Sequence, residues 1–593
     1  MNSIVEIWKD LSVKYNSIIA LKDESTGYSL SFTELYENIN KVVQILKRLG
    51  IKKNDNIVIY LKPHPLWHVI NQAVMKSNCT SIPCEPTSNF EEILYILNET
   101  QSKIIFTDNT GFIEQFIEQK NSEDNFIIFY TGNRNIDYSS DIKIYNLNEE
   151  LKKIDNYITE TNNIEDQKDV AVILYSSGTT GGTPKGVMLT HKNVLLAFTD
   201  HNKIYGNVRN TQCINVQSCS HSASFVIELT LLVNGNTIIY TKNINFLKTV
   251  KKYKPKTLIC VPKLIDKLVN EYNVELSKKT KLFQILHNIC FKISLGYVKN
   301  KQTNIFMKSL CMFNILFYKI LYKNILDKIL NTKTFFITFG SLLPLKDEHF
   351  FSIMKINIMV MYGLNEVLTY VTYRETMKKN VNIVNPDFDM TICDIKDNKK
   401  LDYNQTGIIK VKCEQTMKGY YKNEEKTKEV FDSNGYFITG DLGYLTENNY
   451  LYFEGRQKNI IALNNGEKIN PVKIEDICKQ SPFVEQIVVA GQEKPYLTAL
   501  IVPNKDFIKK WATKKNIDIS VNNGKETLKR DVLIDINNLI GKNKFFKWIE
   551  QVKNISFIDE KLTVNNGFLT AKYTIVRNKV YEKYKTVIEN MYK

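Results

Sequence analysis

The sequence predicts an α/β protein: a large N-terminal domain of mainly βα-built sheets flanked by helices plus a small β-region, then a smaller α+β C-terminal domain. Three observations predict it. Short apolar runs alternate with amphipathic segments as far as Pro262, the rhythm of parallel strands covered by helices. From about Gly435 the pattern turns to strands around a tight turn, and a separate α+β unit follows Gly455. At 593 residues the chain is long enough for several cores.

In order, Ser31-Phe32-Thr33-Glu34-Leu35 starts a helix that runs toward Gly50. Ile57–Tyr60 and Ile104–Phe106 are buried strands. Val208–Tyr240 and Lys256–Pro262 continue the βα rhythm. Ser277–Lys333 differs, with eleven lysines and one acid, Asp327, among apolar residues. There Phe306, Leu310, Phe313, Phe317 and Leu321 recur at helical spacing. That pattern fits either a core-facing helix with a lysine-rich solvent face or a helix lying on a membrane surface. Tyr436-Phe437-Ile438 and Tyr450–Phe453 flank the turn Glu447-Asn448-Asn449, which predicts a hairpin. Val576–Lys593 reads as a basic helix.

Hydrophobic residues make up 43% and aromatics 11%, a globular composition, and a net charge of +16 fits anionic partners. Nucleic acid is not among them, because zinc-finger spacings and RNP-type aromatic strings are absent. Ten cysteines form no CxxC pair, against a zinc site or a disulfide framework. Met1–Tyr15 lacks the apolar core of a signal peptide, and no apolar run reaches about 18 residues, so the expected compartment is the cytoplasm.

The densest motif is Tyr175-Ser176-Ser177-Gly178-Thr179-Thr180-Gly181-Gly182-Thr183-Pro184-Lys185-Gly186, straight after the apolar run Val170–Leu174. Glycines let backbone approach an anion, hydroxyls and turned N–H groups donate to it, and Lys185 adds charge: a phosphate cradle. Thr190-His191-Lys192-Asn193 then opens an apolar periodic segment, so the expected context is strand, loop, helix. The run is not a Walker A loop, because Lys185 precedes glycine rather than Ser or Thr.

Met361-Tyr362-Gly363-Leu364-Asn365-Glu366 follows the apolar segment Ile356–Val360. Its aromatic, glycine and carboxylate suit base stacking and a metal, and suit a structural turn equally well. Gly440-Asp441 and Gly455-Arg456 bracket the predicted hairpin. A carboxylate there can accept both hydroxyls of a ribose, and an arginine supplies a planar donor fork. His221 precedes a strongly apolar helix; alone, it reads as a structural histidine.

Taken together, these motifs resemble those of the adenylate-forming superfamily, acyl-CoA synthetase type, nearest its long-chain fatty acid ligases. The resemblance covers roughly residues 5–590. It implies ATP, Mg²⁺ and coenzyme A as cofactors, and ATP-dependent activation of a carboxylic acid to acyl-AMP followed by transfer to CoA. A medium or long-chain fatty acid is the implied substrate. A separate carrier protein as acceptor, an aromatic or short acid, and an acyl-adenylate-binding protein with impaired adenylation remain alternatives.

By the same resemblance, Ser176, Ser177, Gly178, Thr179, Thr180, Gly181 and Lys185 hold phosphates, with Thr179 and Lys185 catalytic. Tyr362 and Gly363 hold adenine, and Asn365 faces phosphate where the family usually has threonine. Glu366 and Thr180 bind Mg²⁺. Asp441 and Arg456 grip the ribose, and Lys458 is the hinge between a domain over residues 1–454 and a mobile one over 455–593. His221, Gly340, Ser341 and Gly466 line the acid and thiol paths. The family's apolar insertion near Ser277–Lys333 also implies peripheral membrane contact.

Two departures stand out. Between the equivalents of Gly181 and Pro184 the family usually has one residue, and this chain has Gly182 and Thr183. Near the C-terminus, Thr574 stands where the family has a lysine that bridges carboxylate and phosphate oxygens. Losing one such donor costs about 3–4 kcal/mol of transition-state stabilisation. Lys572 lies two residues earlier and, on an extended segment, shares a face with Thr574, which makes it a surrogate.

Overall fold

The computed structural model describes residues 4–119, 126–132, 142–155, 164, 166–176, 184–299, 321–340, 343–375, 382–542, 546–564, 566–570 and 574–593. They fall into two compact units. The first comprises Met1–Ser176, Pro184–Asp389 and Lys412–Phe437; the second includes Met390–Val411 and Ile438–Lys593.

Two large sheets build the first unit. One has nine strands, in the order Ile383–Val384, Tyr370–Glu375, Ile358–Gly363, Phe335–Phe339, Thr257–Ile259, Gln212–Asn215, Thr237–Tyr240, Ile19–Asp23 and Ser29–Ser31. The other has eight, in the order Gly419–Tyr420, Lys185–Thr190, Val170–Ser176, Thr80–Pro83, Asn56–Tyr60, Ile104–Thr107, Ile127–Tyr130 and Lys143–Asn146. Central neighbours run parallel, as the βα rhythm requires; both edges of the nine-stranded sheet and the Gly419–Tyr420 edge of the eight-stranded one are antiparallel, whereas its Lys143–Asn146 edge stays parallel. Fully buried runs such as Ile57-Val58-Ile59 are apolar on both faces because helices cover both sides of the sheet.

The helix expected after Ser31 is Phe32–Arg48. Ser31 and Glu34 form a reciprocal capping box, and Leu35, Ile39, Val42 and Leu46 bury its inner face. Thr190 caps His191–Tyr205 in the same way, with Asn193 as its partner. The stretch between Ser176 and that helix departs from expectation. Lys185–Thr190 is a strand, antiparallel to Val170–Ser176, so the glycine-rich run joins two strands of a hairpin rather than a strand and a helix.

In the Ser277–Lys333 region, Lys281–Lys299 and Lys323–Ile329 are helical. Leu321 is buried, while Phe306, Leu310, Phe313 and Phe317 lie outside the described residues. On Lys281–Lys299 one side packs Phe283, Phe291 and Leu295 on the core, whereas Leu282, Ile285, Leu286 and Ile289 are exposed. No helix among the described residues is long and apolar enough to cross a membrane.

The second unit contains most of a four-stranded sheet ordered Asp389–Cys393, Gly407–Lys412, Phe437–Leu445 and Leu451–Arg456. The last two strands are the expected hairpin, turning through Asn449 at φ 59°. Beyond it, the sheet Val484–Ala490, Leu497–Pro503 and Val552–Phe557 packs on the helices Pro471–Cys478 and Asn522–Gly541. The basic tail is two helices, Arg577–Lys583 and Lys585–Asn590, rather than one. The break falls at Tyr584, whose backbone leaves helical geometry and whose hydroxyl donates to Glu560 at 3.2 Å.

Candidate active site

Lys185 begins the second strand of the cradle hairpin, directly opposite Ser176 at the end of the first. The residues between them that carry the phosphate reading, Ser177, Gly178, Thr179, Thr180 and Gly181, lie outside the described residues. A short strand, Gly419–Tyr420, adds to the free edge of Lys185–Thr190: Tyr420 pairs with Val187, and Tyr421 N donates to Gly186 O at 2.7 Å. This pairing sets the Tyr420 ring beneath Lys185, whose ammonium lies 5.5 Å from the ring centroid. The Tyr420 hydroxyl in turn donates to Glu366 Oε1 at 3.0 Å. Burial, then the neighbouring Glu366 charge, pushes its phenol far above its ordinary range, so it remains a donor.

Glu366 is the middle residue of a single 3₁₀ turn, Asn365–Val367, just after the strand Ile358–Gly363. Its backbone carbonyl accepts from Met417 N at 2.7 Å, a second tie to the segment that carries Tyr420. Gly363 is glycine for a steric reason: a Cβ there would stand 2.5 Å from Thr369 O. Tyr362, half-buried, precedes it on the strand opposite Thr372. Asn365 Oδ1 accepts from Ser222 Oγ at 2.8 Å, which makes its amide nitrogen the end available to donate to a ligand.

Ser222 heads the apolar helix Ser222–Val233, with His221 as the residue before it. His221 is half-buried, and its Nε2 lies 3.8 Å from Glu85 Oε2. Ser220 Oγ donates to that same oxygen at 2.5 Å. Gly340 ends the strand Phe335–Phe339 with φ +85°, exposed; Ser341 lies outside the described residues.

The second unit carries the remaining positions. Asp441 and Arg456 face each other across the hairpin, with Arg456 Nε 3.1 Å from Asp441 Oδ1. Asp441 is buried and Arg456 exposed, so the cation covers the carboxylate from the solvent side. Lys458 is exposed in the turn Gln457–Asn459. Gly466, at φ +84°, closes a turn by donating to Leu463 O at 2.9 Å.

The tail pairs the residues on either side of 571–573. Leu569 bridges Ile575 in antiparallel fashion, Thr570 N donates to Thr574 O at 2.9 Å, and the two threonine hydroxyls lie 2.6 Å apart. Lys572 itself lies outside the described residues. Three residues after Thr574, Arg577 anchors the chain through a buried bidentate pair of hydrogen bonds to Glu475, at 2.7 and 2.6 Å.

The sequence reading missed Tyr420, Ser222 and Glu85. Gly419-Tyr420 is too short to show a period, and its role depends on pairing with a strand that was itself read as the approach to a helix.

Comparison with known proteins identifies the family. The family model described as AMP-binding enzyme matches residues 11–421, and that of the AMP-binding enzyme C-terminal domain matches 458–535. The probable acyl-activating enzyme 16, chloroplastic, of Arabidopsis thaliana is 28% identical over all of this chain and 89% of its own length. From the same plant, the long-chain-fatty-acid–[acyl-carrier-protein] ligase AEE15, chloroplastic, is 27% identical over all of this chain and 86% of its own. Long-chain-fatty-acid–CoA ligase 1 of Schizosaccharomyces pombe is 24% identical over 95% of this chain and 86% of its own. The adenylation domain of a carboxylate reductase from Mycobacterium chelonae shares the fold, with a TM-score of 0.76 at 19% identity, over 100% of this chain and 91% of that one. The family match spans well over half the sequence and includes Lys185, Glu366 and Tyr420. The chain belongs to the AMP-binding enzyme family, as an adenylate-forming enzyme of the acyl-CoA synthetase type.

Proposed function

We propose that the chain joins a medium or long aliphatic acid to CoA through an acyl-AMP made from ATP. The observation that carries this reading is the convergence of Lys185, Tyr420 and Glu366 beside the cradle hairpin: a cation, a fixed donor and an oriented carboxylate where a triphosphate and its metal need them. In the first step a carboxylate oxygen of the acid attacks the α-phosphorus, the bond to the bridging oxygen breaks, and pyrophosphate leaves. In the second, the CoA thiol gives up its proton, its sulfur attacks the acyl carbon, and AMP leaves.

The donor set fits ATP with Mg²⁺. Thr179, Thr180 and Lys185 would hold phosphate oxygens, and Glu366 with Thr180 would hold Mg²⁺, which when bound would neutralise charge on those oxygens. Tyr362 stacks on adenine and Asp441 accepts the ribose hydroxyls. Arg456, paired with Asp441, also binds the nucleotide, and Lys458 serves as hinge between the domains 1–454 and 455–593. His221 and Gly340 border the acid, and Gly466 the thiol path.

A carrier protein as acceptor is the second reading, favoured by the acyl-carrier-protein ligase among the relatives. Pyrophosphate release across a chain-length series, with CoA and holo-carrier compared as acceptors, tests both. Preference for benzoate-like acids over every fatty acid would overturn the aliphatic assignment. Peripheral membrane contact of a cytoplasmic protein draws support from the exposed Leu282, Ile285, Leu286 and Ile289 on a lysine-bearing helix without acids. Flotation with anionic vesicles tests it, and no binding by the intact protein would rule it out.

A further inference from the structure

A buried carboxylate with four hydrogen-bond donors lies outside the catalytic assignments. Glu228, on the helix Ser222–Val233, is fully buried. Its Oε2 accepts from His68 Nε2 at 2.7 Å, Tyr240 OH at 2.7 Å and Cys219 Sγ at 3.2 Å; its Oε1 accepts from Asn215 Nδ2. His68 Nδ1 is buried without a hydrogen-bond partner. A proton there would be a buried orphan donor, so the ring is assigned as the Nε2–H tautomer, a donor to Glu228. Four donors from four places thus converge on one acceptor-only group: the helix Pro65–Lys76, the ends of strands Gln212–Asn215 and Thr237–Tyr240, and the loop 216–221.

That loop ends at the acid side of the site. Cys219 binds Glu228, Ser220 binds Glu85 beside His221, and Ser222 binds the Asn365 amide. The loop is therefore pinned at Cys219, between the strand it leaves and the two residues it presents. We infer that Glu228 and Cys219 are positioning residues: through the Cys219–Glu228 bond they set the loop that places His221 against the acid and fixes the orientation of Asn365. The His221 half of this rests on the acid-pocket reading proposed above; the Asn365 half does not.

A hydrogen-bond anchor and a metal site predict different results. His68, Cys219 and Glu228 have ligand atoms within 4.8 Å of one another, a set that could hold zinc. The protonated network already satisfies the Glu228 carboxylate, so the inference expects substoichiometric zinc in the purified protein.

The test compares Cys219→Ala, Cys219→Ser, Ser222→Ala and His221→Ala in steady-state pyrophosphate release, with melting temperatures and zinc content measured alongside. Cys219→Ala removes the loop's tether yet leaves Glu228 its other three donors. It should raise KM for the acid about fivefold, the worth of one hydrogen bond, with KM for ATP changed less than about twofold. Cys219→Ser restores a donor and should return the acid KM toward that of the parent, which a merely structural role would not require. Ser222→Ala, in which the anchor itself is intact, should lower kcat through Asn365, and it keeps the inference testable if Cys219→Ala fails to fold. Acid KM and kcat both unmoved in Cys219→Ala, equal defects in Cys219→Ala and Cys219→Ser, or one zinc per chain lost on Cys219→Ala would each overturn the anchor. If His221→Ala alone leaves the acid KM unchanged, the acid-pocket reading fails while the anchor stands on Cys219 and Ser222.

Discussion

The hydroxyl of Tyr420 holds the Glu366 carboxylate at 3.0 Å, while its ring lies 5.5 Å from the Lys185 ammonium. One side chain thus orients the expected metal ligand and spaces it from the expected phosphate lysine. A carboxylate turned by a fixed donor presents its remaining lone pairs in one direction, so less entropy is lost when a cation arrives.

Tyr420→Phe should therefore weaken Mg²⁺ dependence more than nucleotide binding. Outer-shell partners of metal ligands cost about 10–100-fold when removed. The Mg²⁺ concentration for half-maximal pyrophosphate release should rise at least about tenfold. An unchanged Mg²⁺ curve would mean that Glu366 is oriented by its backbone tie to Met417 alone.

Asp441 is buried beneath Arg456, whose Nε lies 3.1 Å away. If it accepts the ribose hydroxyls, Asp441→Ala should weaken ATP binding about 10–100-fold by calorimetry, the worth of hydrogen bonds to a charged acceptor. Unaltered affinity would sink the ribose assignment.

Asp347 gives a pH-dependent prediction independent of catalysis. Its side chain is fully buried near the start of the helix Leu345–Ile353, and neither carboxyl oxygen has a hydrogen-bond partner. Burial pushes its carboxyl up to about 6. A raised folded value means that the protonated form is the one the fold tolerates. That contribution is complete below about pH 4 and is lost as pH rises through about 6. Asp347→Asn should match the parent in melting temperature at pH 4 and exceed it at pH 8, by up to about 3 kcal/mol of stability. Equal melting temperatures at both pH values would show that the carboxyl finds a partner in solution.

The parts legible in sequence are those whose signal is local. Phe32–Arg48 shows its period and its cap within one segment, and the Leu451–Arg456 hairpin shows two strands around one turn. The strand Lys185–Thr190 was not legible, because its alternation is brief and merges with the helix that Thr190 caps. Tyr420 and the Glu228 anchor are invisible for a different reason. His68 and Glu228 stand 160 positions apart, each alone in an apolar stretch, and only the packing of one helix against another makes them a pair. The single C-terminal helix read from sequence misses the break at Tyr584, which a tertiary bond to Glu560 accompanies.

The tail carries the last prediction. Thr574 cannot supply the cation that adenylation draws on, and Leu569 bridges Ile575 on either side of residues 571–573. In sequence Lys572 lies two residues before Thr574, at most about 7–8 Å away, and the Arg577–Glu475 fork anchors the chain three residues after Thr574. A lysine side chain spans much of that distance, so Lys572 remains the proposed surrogate. Three proteins decide it in pyrophosphate release: the parent, Lys572→Ala and Thr574→Lys. Loss of Lys572 should cut adenylation about a hundredfold or more, with thioester formation from supplied acyl-AMP nearly intact, because that step does not use the bridging cation. A parent without adenylation that Thr574→Lys rescues would show that the first half-reaction has been lost and that the chain handles preformed acyl-adenylates. Equal rates in all three would mean that neither position matters, and that the cation reaches the phosphate from elsewhere in the chain.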